Sequence, residues 1–299
     1  MNRFQQLVGA SIIIVLSSVA FGRDDGLSET EQLKIVAIES LITAPADRAL
    51  PLVTRVLRGD DSDEVKEHAL FILSQIDNQE AQDLLIEVAR SDNGELREEA
   101  VRMIGISGKP GALAMLKDLY RDGDNDMREA VLEAYLITDD ADSVLAIAEA
   151  AVDPEEFELA VETLGAMQAT EQLRSLRNKK GMSEALIEAY AIAGDVESLR
   201  ELAMDGSDPE RQSEALKGLA IAGDDDANKT FMEVYRSTDN DDLKEAALEA
   251  MQISGYDEGV LLLFRESTDA AEKRELLQML VHMDNDAVWD IIDATLEDD

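Results

Sequence analysis

The chain has 299 residues, of which 66 are aspartate or glutamate and 27 are lysine or arginine, so its formal net charge is −39. Such an acidic chain is a poor partner for nucleic acid or for an anionic membrane surface. It contains no cysteine, which excludes disulfide bonds, thiolate metal sites and cysteine nucleophiles. The spread of acidic residues is typical of a highly soluble protein, and attraction to a basic partner or to divalent cations is the alternative.

The N-terminal segment differs in composition from the rest of the chain. Arg3 is the only early charge, the stretch from Leu7 to Leu16 is mostly apolar, and Ser18 and Ala20 supply small residues after it. This order predicts a secretory signal peptide over residues 1–22. A retained membrane anchor is the alternative, but a membrane span needs about 20 apolar residues. We therefore expect a periplasmic or secreted protein with no stable membrane insertion once the signal is removed.

After this segment, one position recurs at a spacing close to 30 residues. Its occupants are Ala37, Ala69, Ala100, Ala130, Ala160, Ala185, Ala215, Ala246 and Leu276. The surrounding residues are also similar, as in EAVLEAY at 129–135 and EALIEAY at 184–190. A period of this length indicates a stack of like supersecondary modules rather than one closed core.

Residues 95–125 show what one module contains. Apolar residues follow helical spacing from Glu95 to Ser107, and the segment from Gly108 to Gly111 then interrupts the helix. A second helix is predicted after it, with an apolar face formed by Leu113, Leu116, Leu119 and Tyr120. No segment alternates apolar and polar residues with a sustained period of two. The sequence therefore predicts an all-α chain, a right-handed α-solenoid of about nine stacked helix pairs.

The repeats resemble short, bacterial HEAT-like repeats, which also occur in phycobilisome-lyase-type proteins. The segments that carry the resemblance are EAVRMIG at 99–105, LAVETLG at 159–165 and the Asp-Pro-Glu helix starts at 153–155 and 208–210. The resemblance implies a solenoid over residues 23–299, with units beginning near 28, 62, 95, 126, 155, 182, 210, 241 and 270. It also implies a docking surface for other molecules.

Three features distinguish particular units. The spacing from Ala160 to Ala185 is only 25 residues, which predicts a second helix cut short at about Asn178. The first unit, 28–61, carries two prolines around its turn and is predicted to be a capping unit. In the last unit, Trp289 is predicted to face inward.

The cations give the candidate binding residues. Four arginines lie 21 residues after the recurring position, at the predicted ends of second helices: Arg58, Arg90, Arg121 and Arg236. A cation there complements the helix dipole, and the alternative is a row that grips carboxylates of a partner. A second group, Arg174, Arg177, Lys179 and Lys180, coincides with the short unit, where an exposed loop needing charge balance is the other interpretation.

Other candidate sites have simpler structural interpretations. Asp122, Asp124 and Asp126 alternate as calcium ligands do, but Met127 occupies the place where such a loop needs glycine, so we interpret them as helix caps. Recurring aromatic residues, among them Tyr190 and Phe231, are predicted to be core. His68 and His282 are too far apart in the stack to form one site, and no phosphate-binding loop or HExxH motif occurs.

These observations favour a non-catalytic, monomeric scaffold or adaptor without metal or cofactor, which binds a protein or peptide in the concave groove. The alternatives are an accessory subunit or lyase-type enzyme, as the resemblance allows, and a structural element of an envelope complex.

Overall fold

The computed structural model describes residues 27–91, 93–181, 183–223, 226–283 and 287–297. These residues form helices and connecting loops, with no strand among them. The predicted signal peptide lies outside the described residues. The chain divides into two compact units, Met1–Asp140 and Ala141–Asp299.

The first unit contains eight of the described helices, and a short 3₁₀ segment, Ser40–Thr43, follows the first of them. Their bounds are α1 Glu29–Glu39, α2 Ala46–Leu57, α3 Asp63–Gln75, α4 Gln79–Ala89, α5 Gly94–Ser107, α6 Pro110–Leu113, α7 Leu116–Asp122 and α8 Asn125–Thr138.

The second unit continues the same alternation of helices from Ala141 onward. Their bounds are α9 Ala141–Ala150, α10 Pro154–Ala166, α11 Thr170–Lys180, α12 Glu184–Ala193, α13 Val196–Met204, α14 Pro209–Ala222, α15 Ala227–Ser237, α16 Asp241–Ile253, α17 Asp257–Glu266, α18 Ala270–His282 and α19 Ala287–Glu297. Within each unit, first and second helices alternate and pack against their neighbours, so the predicted α-solenoid is confirmed.

Local sequence sets where the helices begin. Ser28 forms a reciprocal capping box with Glu31 at the start of α1. Asp153 and Asp208 accept backbone N–H groups at the starts of α10 and α14, where a proline occupies the first turn. The helix starts are therefore encoded within a few residues of each boundary.

Small residues allow the first helices of neighbouring pairs to approach closely. A Cβ atom placed on Gly105 of α5 would lie 2.9 Å from the Cα of Ala134 in α8, which is too close for any side chain. In the second unit, a Cβ on Gly165 of α10 would lie 3.2 Å from the Cα of Ala189 in α12. Recurring alanines such as Ala100 are fully buried at these contacts. From Ala69 to Ala246 the recurring position holds alanine, a side chain small enough to let packed helices lie close together.

The short unit loses its residues from a different place than predicted. Helix α11 has 11 residues, as many as α4 and α15, so it is not cut short near Asn178. The loss falls in α12, which has 10 residues against 13 in α10 and 14 in α14. The side chain of Ser183 accepts the backbone N–H of Leu186 and begins α12 late, so Ala185 is its second residue. The spacing gave the size of the deletion correctly but its location incorrectly.

Two further predictions are wrong. Trp289 does not face inward, since 64% of its surface is exposed. Helix α19 is the last one that the structure describes, so no following repeat among the described residues covers this side chain. The second helix after Gly108 is not continuous, because a tight turn at Ala114 and Met115 separates α6 from α7.

Candidate interaction surfaces

The arginines at the ends of the second helices form ion pairs within the chain. Arg58 donates to Glu87 at 2.8 Å, and Arg236 donates to Glu266 at 2.7 Å. In each pair the carboxylate belongs to the second helix of the next pair, α4 for Arg58 and α17 for Arg236. Both pairs are exposed, where an ion pair contributes about 0–1 kcal/mol to folding. These arginines therefore contribute only weakly to the contact between successive second helices, and they remain accessible to solvent.

Arg90 and Arg121 occupy the same place in the first unit. Arg121 pairs within its own turn, with Asp118 and with Asp122, both at 2.9 Å. Hydrogen bonding to Arg121 keeps the pKa of the Asp122 carboxyl below its ordinary value, and Arg90 adds to this effect through its charge. Arg121 therefore lies beside carboxylates of its own chain, and the predicted arginine row that binds a partner stays a prediction.

The cations of the short unit have structural partners. Arg174 of α11 donates to both carboxylate oxygens of Asp195, at 2.8 and 2.6 Å, and also reaches Glu197. Arg177 pairs with Glu201 at 3.1 Å. Lys180 donates to the carbonyl oxygen of Ala151, just beyond α9. The side chain of Lys179 lies outside what the structure describes.

Asp195 is the buried centre of this group, with 2% of its side chain exposed. Burial by itself raises the pKa of its carboxyl, but hydrogen bonds from Arg174 and Ser198 outweigh burial and leave that pKa lowered. The same carboxylate raises the pKa of the Arg174 guanidinium. Burial raises the pKa of the neighbouring Tyr190 hydroxyl to about 12. Arg174 and Asp195 thus connect α11 to the start of α13 and stabilise the fold. The predicted role of these cations in partner binding stays a prediction.

A groove lies between two second helices of the second unit, α15 and α17. Its volume is about 510 Å³, and both apolar and charged residues line it. The lining residues are Lys229, Met232, Glu233, Arg236, Ser237, Tyr256 and Leu262. Arg236 is the one predicted binding residue that lies in this groove.

Another surface, at the ends of the first helices, was not predicted from the sequence. An isoleucine stands two residues before the left-handed residue that terminates a first helix, at Ile106, Ile137, Ile192, Ile221 and Ile253. In the second unit, Ile192, Ile221 and Ile253 have 52%, 67% and 56% of their surface exposed. We call these three residues the isoleucine face. The repeated Ile-x-Gly sequence at the helix ends was the signal that could have predicted the isoleucine face. Helical spacing alone predicts that such isoleucines are buried.

The acidic loop at Asp122–Asp126 stabilises the fold through contacts of Asp124. Asp124 caps α8 by accepting the backbone N–H of Met127, and it pairs with Arg97 at 2.8 Å. Among the described residues, no group of three or more histidine or acidic side chains is arranged to hold a metal ion. Within the same part of the chain, no helix combines the length and the apolar character that a membrane crossing needs.

The predicted aromatic core is largely confirmed. Tyr120, Tyr135, Tyr190, Phe231 and Tyr235 are all buried. Of the two histidines, His68 in the first unit faces Glu39 at 3.2 Å, and His282 in the second contacts the carbonyl oxygen of Gln278 at 2.7 Å.

Comparison with known proteins finds a family match over part of the chain. A family model described as HEAT repeats matches residues 50–137. No curated protein matches the chain. Among solved structures, the complex of CpcE and CpcF of phycocyanin lyase from Nostoc sp. PCC7120 is 18% identical, with a TM-score of 0.35, over 88% of this chain and 98% of that one. An engineered protein is 20% identical, with a TM-score of 0.21, over 83% and 96% of the two chains. The match to HEAT repeats therefore covers residues 50–137, and the helices described above define the chain as an α-solenoid.

Proposed function

We propose that this chain is a non-catalytic scaffold that holds a protein or peptide partner in the groove between α15 and α17. The observation that carries the proposal is the groove itself. It places the apolar surface of Met232, Tyr256 and Leu262 beside the exposed charges of Glu233 and Arg236. Apolar contacts supply most of the affinity at such a surface, and the charges at its edge select the partner.

The ion pair between Arg236 and Glu266 suits this role. Because the pair is exposed, it costs little to exchange Glu266 for a carboxylate of a partner. An extended peptide in the groove then gains a charge-assisted hydrogen bond while its apolar side chains contact Leu262.

The proposal includes export and a monomeric state. The composition of residues 1–22 supports export, and the net charge of −39 opposes association of two copies. The alternative functions are an accessory subunit, a lyase-type enzyme and a component of an envelope complex. The first two rest on the sequence resemblance, and the third rests on the N-terminal segment, residues 1–22.

A photo-crosslinking amino acid at position 233 tests the proposal in cells that express the full chain. We expect a discrete protein adduct, identified by mass spectrometry, whose affinity for the purified chain falls when Arg236→Ala and Leu262→Ala are combined. Arg58→Ala with Leu52→Ala is the matched control, since Arg58 makes the same kind of ion pair and Leu52 is as exposed as Leu262.

Equal loss of affinity in the two double variants would contradict binding in the groove. Turnover by the purified chain that one point substitution abolishes would contradict the non-catalytic role.

A further inference from the structure

The isoleucine face carries an inference beyond the groove. Its three side chains occupy the same place on α12, α14 and α16, which are successive first helices of the second unit. A solenoid needs its apolar residues between the helices, and these three are largely exposed instead. Single exposed apolar residues are ordinary on a protein surface, whereas a row in register across three helices indicates a contact surface.

The three helices lie side by side, so the row is continuous. A Cβ placed on Gly218 of α14 would lie 3.4 Å from the Cβ of Ala191, the residue before Ile192 in α12. Helix α14 also packs against α16. With about 8–10 Å between the axes of packed helices, the row from Ile192 to Ile253 is about 16–20 Å long. A bound helix of about 12 residues has that length, at 1.5 Å for each residue.

Glutamates lie on the same helix faces, one or two turns before the isoleucines. They are Glu184 and Glu188 on α12, Glu214 on α14, and Glu245 and Glu249 on α16. Lys217 stands among them and pairs with Glu214 at 3.0 Å. Its charge also interacts with Glu184 and Glu249, on the helices to either side. The carboxylates of the three helices therefore form one acidic border along the row.

We propose that the isoleucine face binds a basic amphipathic segment of a partner protein, with apolar side chains against the isoleucines and lysine or arginine side chains toward the glutamates. Charge complementarity selects this occupant. A second copy of the chain carries the same net charge of −39 and is repelled, as are anionic lipid and nucleic acid. This surface is additional to the proposed groove between α15 and α17 and does not depend on it.

The test uses the purified chain and two labelled peptides of about 18 residues, one of leucine and lysine and one of leucine and glutamate with the same apolar pattern. We expect fluorescence anisotropy to show binding of the leucine-lysine peptide alone. We also expect the affinity to fall between about 50 mM and about 300 mM salt because the charges are screened.

Two sets of variants locate the contact. Replacing Ile192, Ile221 and Ile253 together by serine should weaken binding about tenfold or more, whereas Val152→Ser, at another exposed apolar residue of the same unit, should not. Glu188→Gln with Glu249→Gln should weaken binding roughly threefold to tenfold at low salt. Glu171→Gln with Glu258→Gln changes the net charge equally and should have no effect.

Three results would overturn the proposal. They are equal binding of the two peptides, no binding of the leucine-lysine peptide below about 1 mM, and unchanged affinity in both the triple serine variant and the Glu188/Glu249 variant. The synthetic peptides test only the isoleucine face. Their results therefore do not decide whether a cellular partner binds in the groove, which the crosslinking experiment tests.

Discussion

Arg174 and Asp195 join α11 to α13 through two hydrogen bonds, of 2.8 and 2.6 Å, although 21 residues separate them in the sequence. Asp195 also caps α13 by accepting the backbone N–H and the hydroxyl of Ser198. The pair lies next to α12, the helix that lacks its first turn. We infer that this pair stabilises the second unit where its repeat is shortest.

Asp195→Ala should therefore lower the free energy of unfolding by about 2–4 kcal/mol, since it removes a helix cap and leaves the Arg174 guanidinium without its buried partner. Asp208→Ala is the matched control, because Asp208 also caps a helix and pairs with an arginine, but at the surface. That variant should lose only about 1 kcal/mol. Urea denaturation followed by circular dichroism measures both; equal losses would show that the buried pair adds nothing beyond its cap.

The lowered pKa of Asp195 predicts a particular dependence of stability on pH. A carboxyl whose pKa is lower in the folded state contributes stability that is fully present above its ordinary pKa of 3.8. This contribution is lost as the pH falls through the lower folded-state value. Asp195→Asn cannot titrate, so the stability it lacks at pH 7 should shrink steadily below about pH 4. A constant difference between the variant and the parent from pH 7 to pH 3 would contradict this.

Close contact between α5 and α8 predicts a strong effect of one methyl group. Gly105→Ala would bring a Cβ within 2.9 Å of the Ala134 backbone, which cannot rotate away, and should cost about 1–3 kcal/mol. Gly94→Ala in the same helix meets no atom within 4 Å and should be neutral or slightly stabilising. Comparing the melting temperatures of the two variants separates the steric clash at Gly105 from the general effect of replacing glycine by alanine. A Gly105 variant as stable as the parent would mean that the helices can move apart at no cost.

The sequence was sufficient to predict the helix pairs, because helical spacing, caps and turn residues are local signals that agree from repeat to repeat. Burial of Tyr190 and Phe231 followed from the same spacing. The partners of Arg174 and Arg177 were not predictable, since they lie more than 20 residues away on a neighbouring helix. Ile221 was missed for a related reason: spacing shows that a residue is apolar and where it lies on a helix, but not whether the next repeat covers it.

Processing of the N-terminus is a prediction from composition alone. The short apolar stretch followed by small residues should be recognised by an export peptidase, so that the mature chain begins near Phe21 or Arg23. Mass spectrometry of the protein recovered from the cell exterior or periplasm measures the cut directly. An intact chain that begins at Met1 in that fraction would favour a retained anchor.

The cations of the short unit distinguish a structural role from a binding role. Reversing Arg177 and Lys180 together to glutamate would place like charges beside Glu201 and remove the hydrogen bond to the Ala151 carbonyl. We therefore expect the free energy of unfolding to fall by about 1–2 kcal/mol, even without a partner. Reversing Arg55 and Lys117 is a control with the same change in net charge at exposed second-helix positions elsewhere. If the Arg177/Lys180 variant melts with the parent but loses affinity for the crosslinked partner, the cations serve binding instead, and the ion pair with Glu201 is incidental.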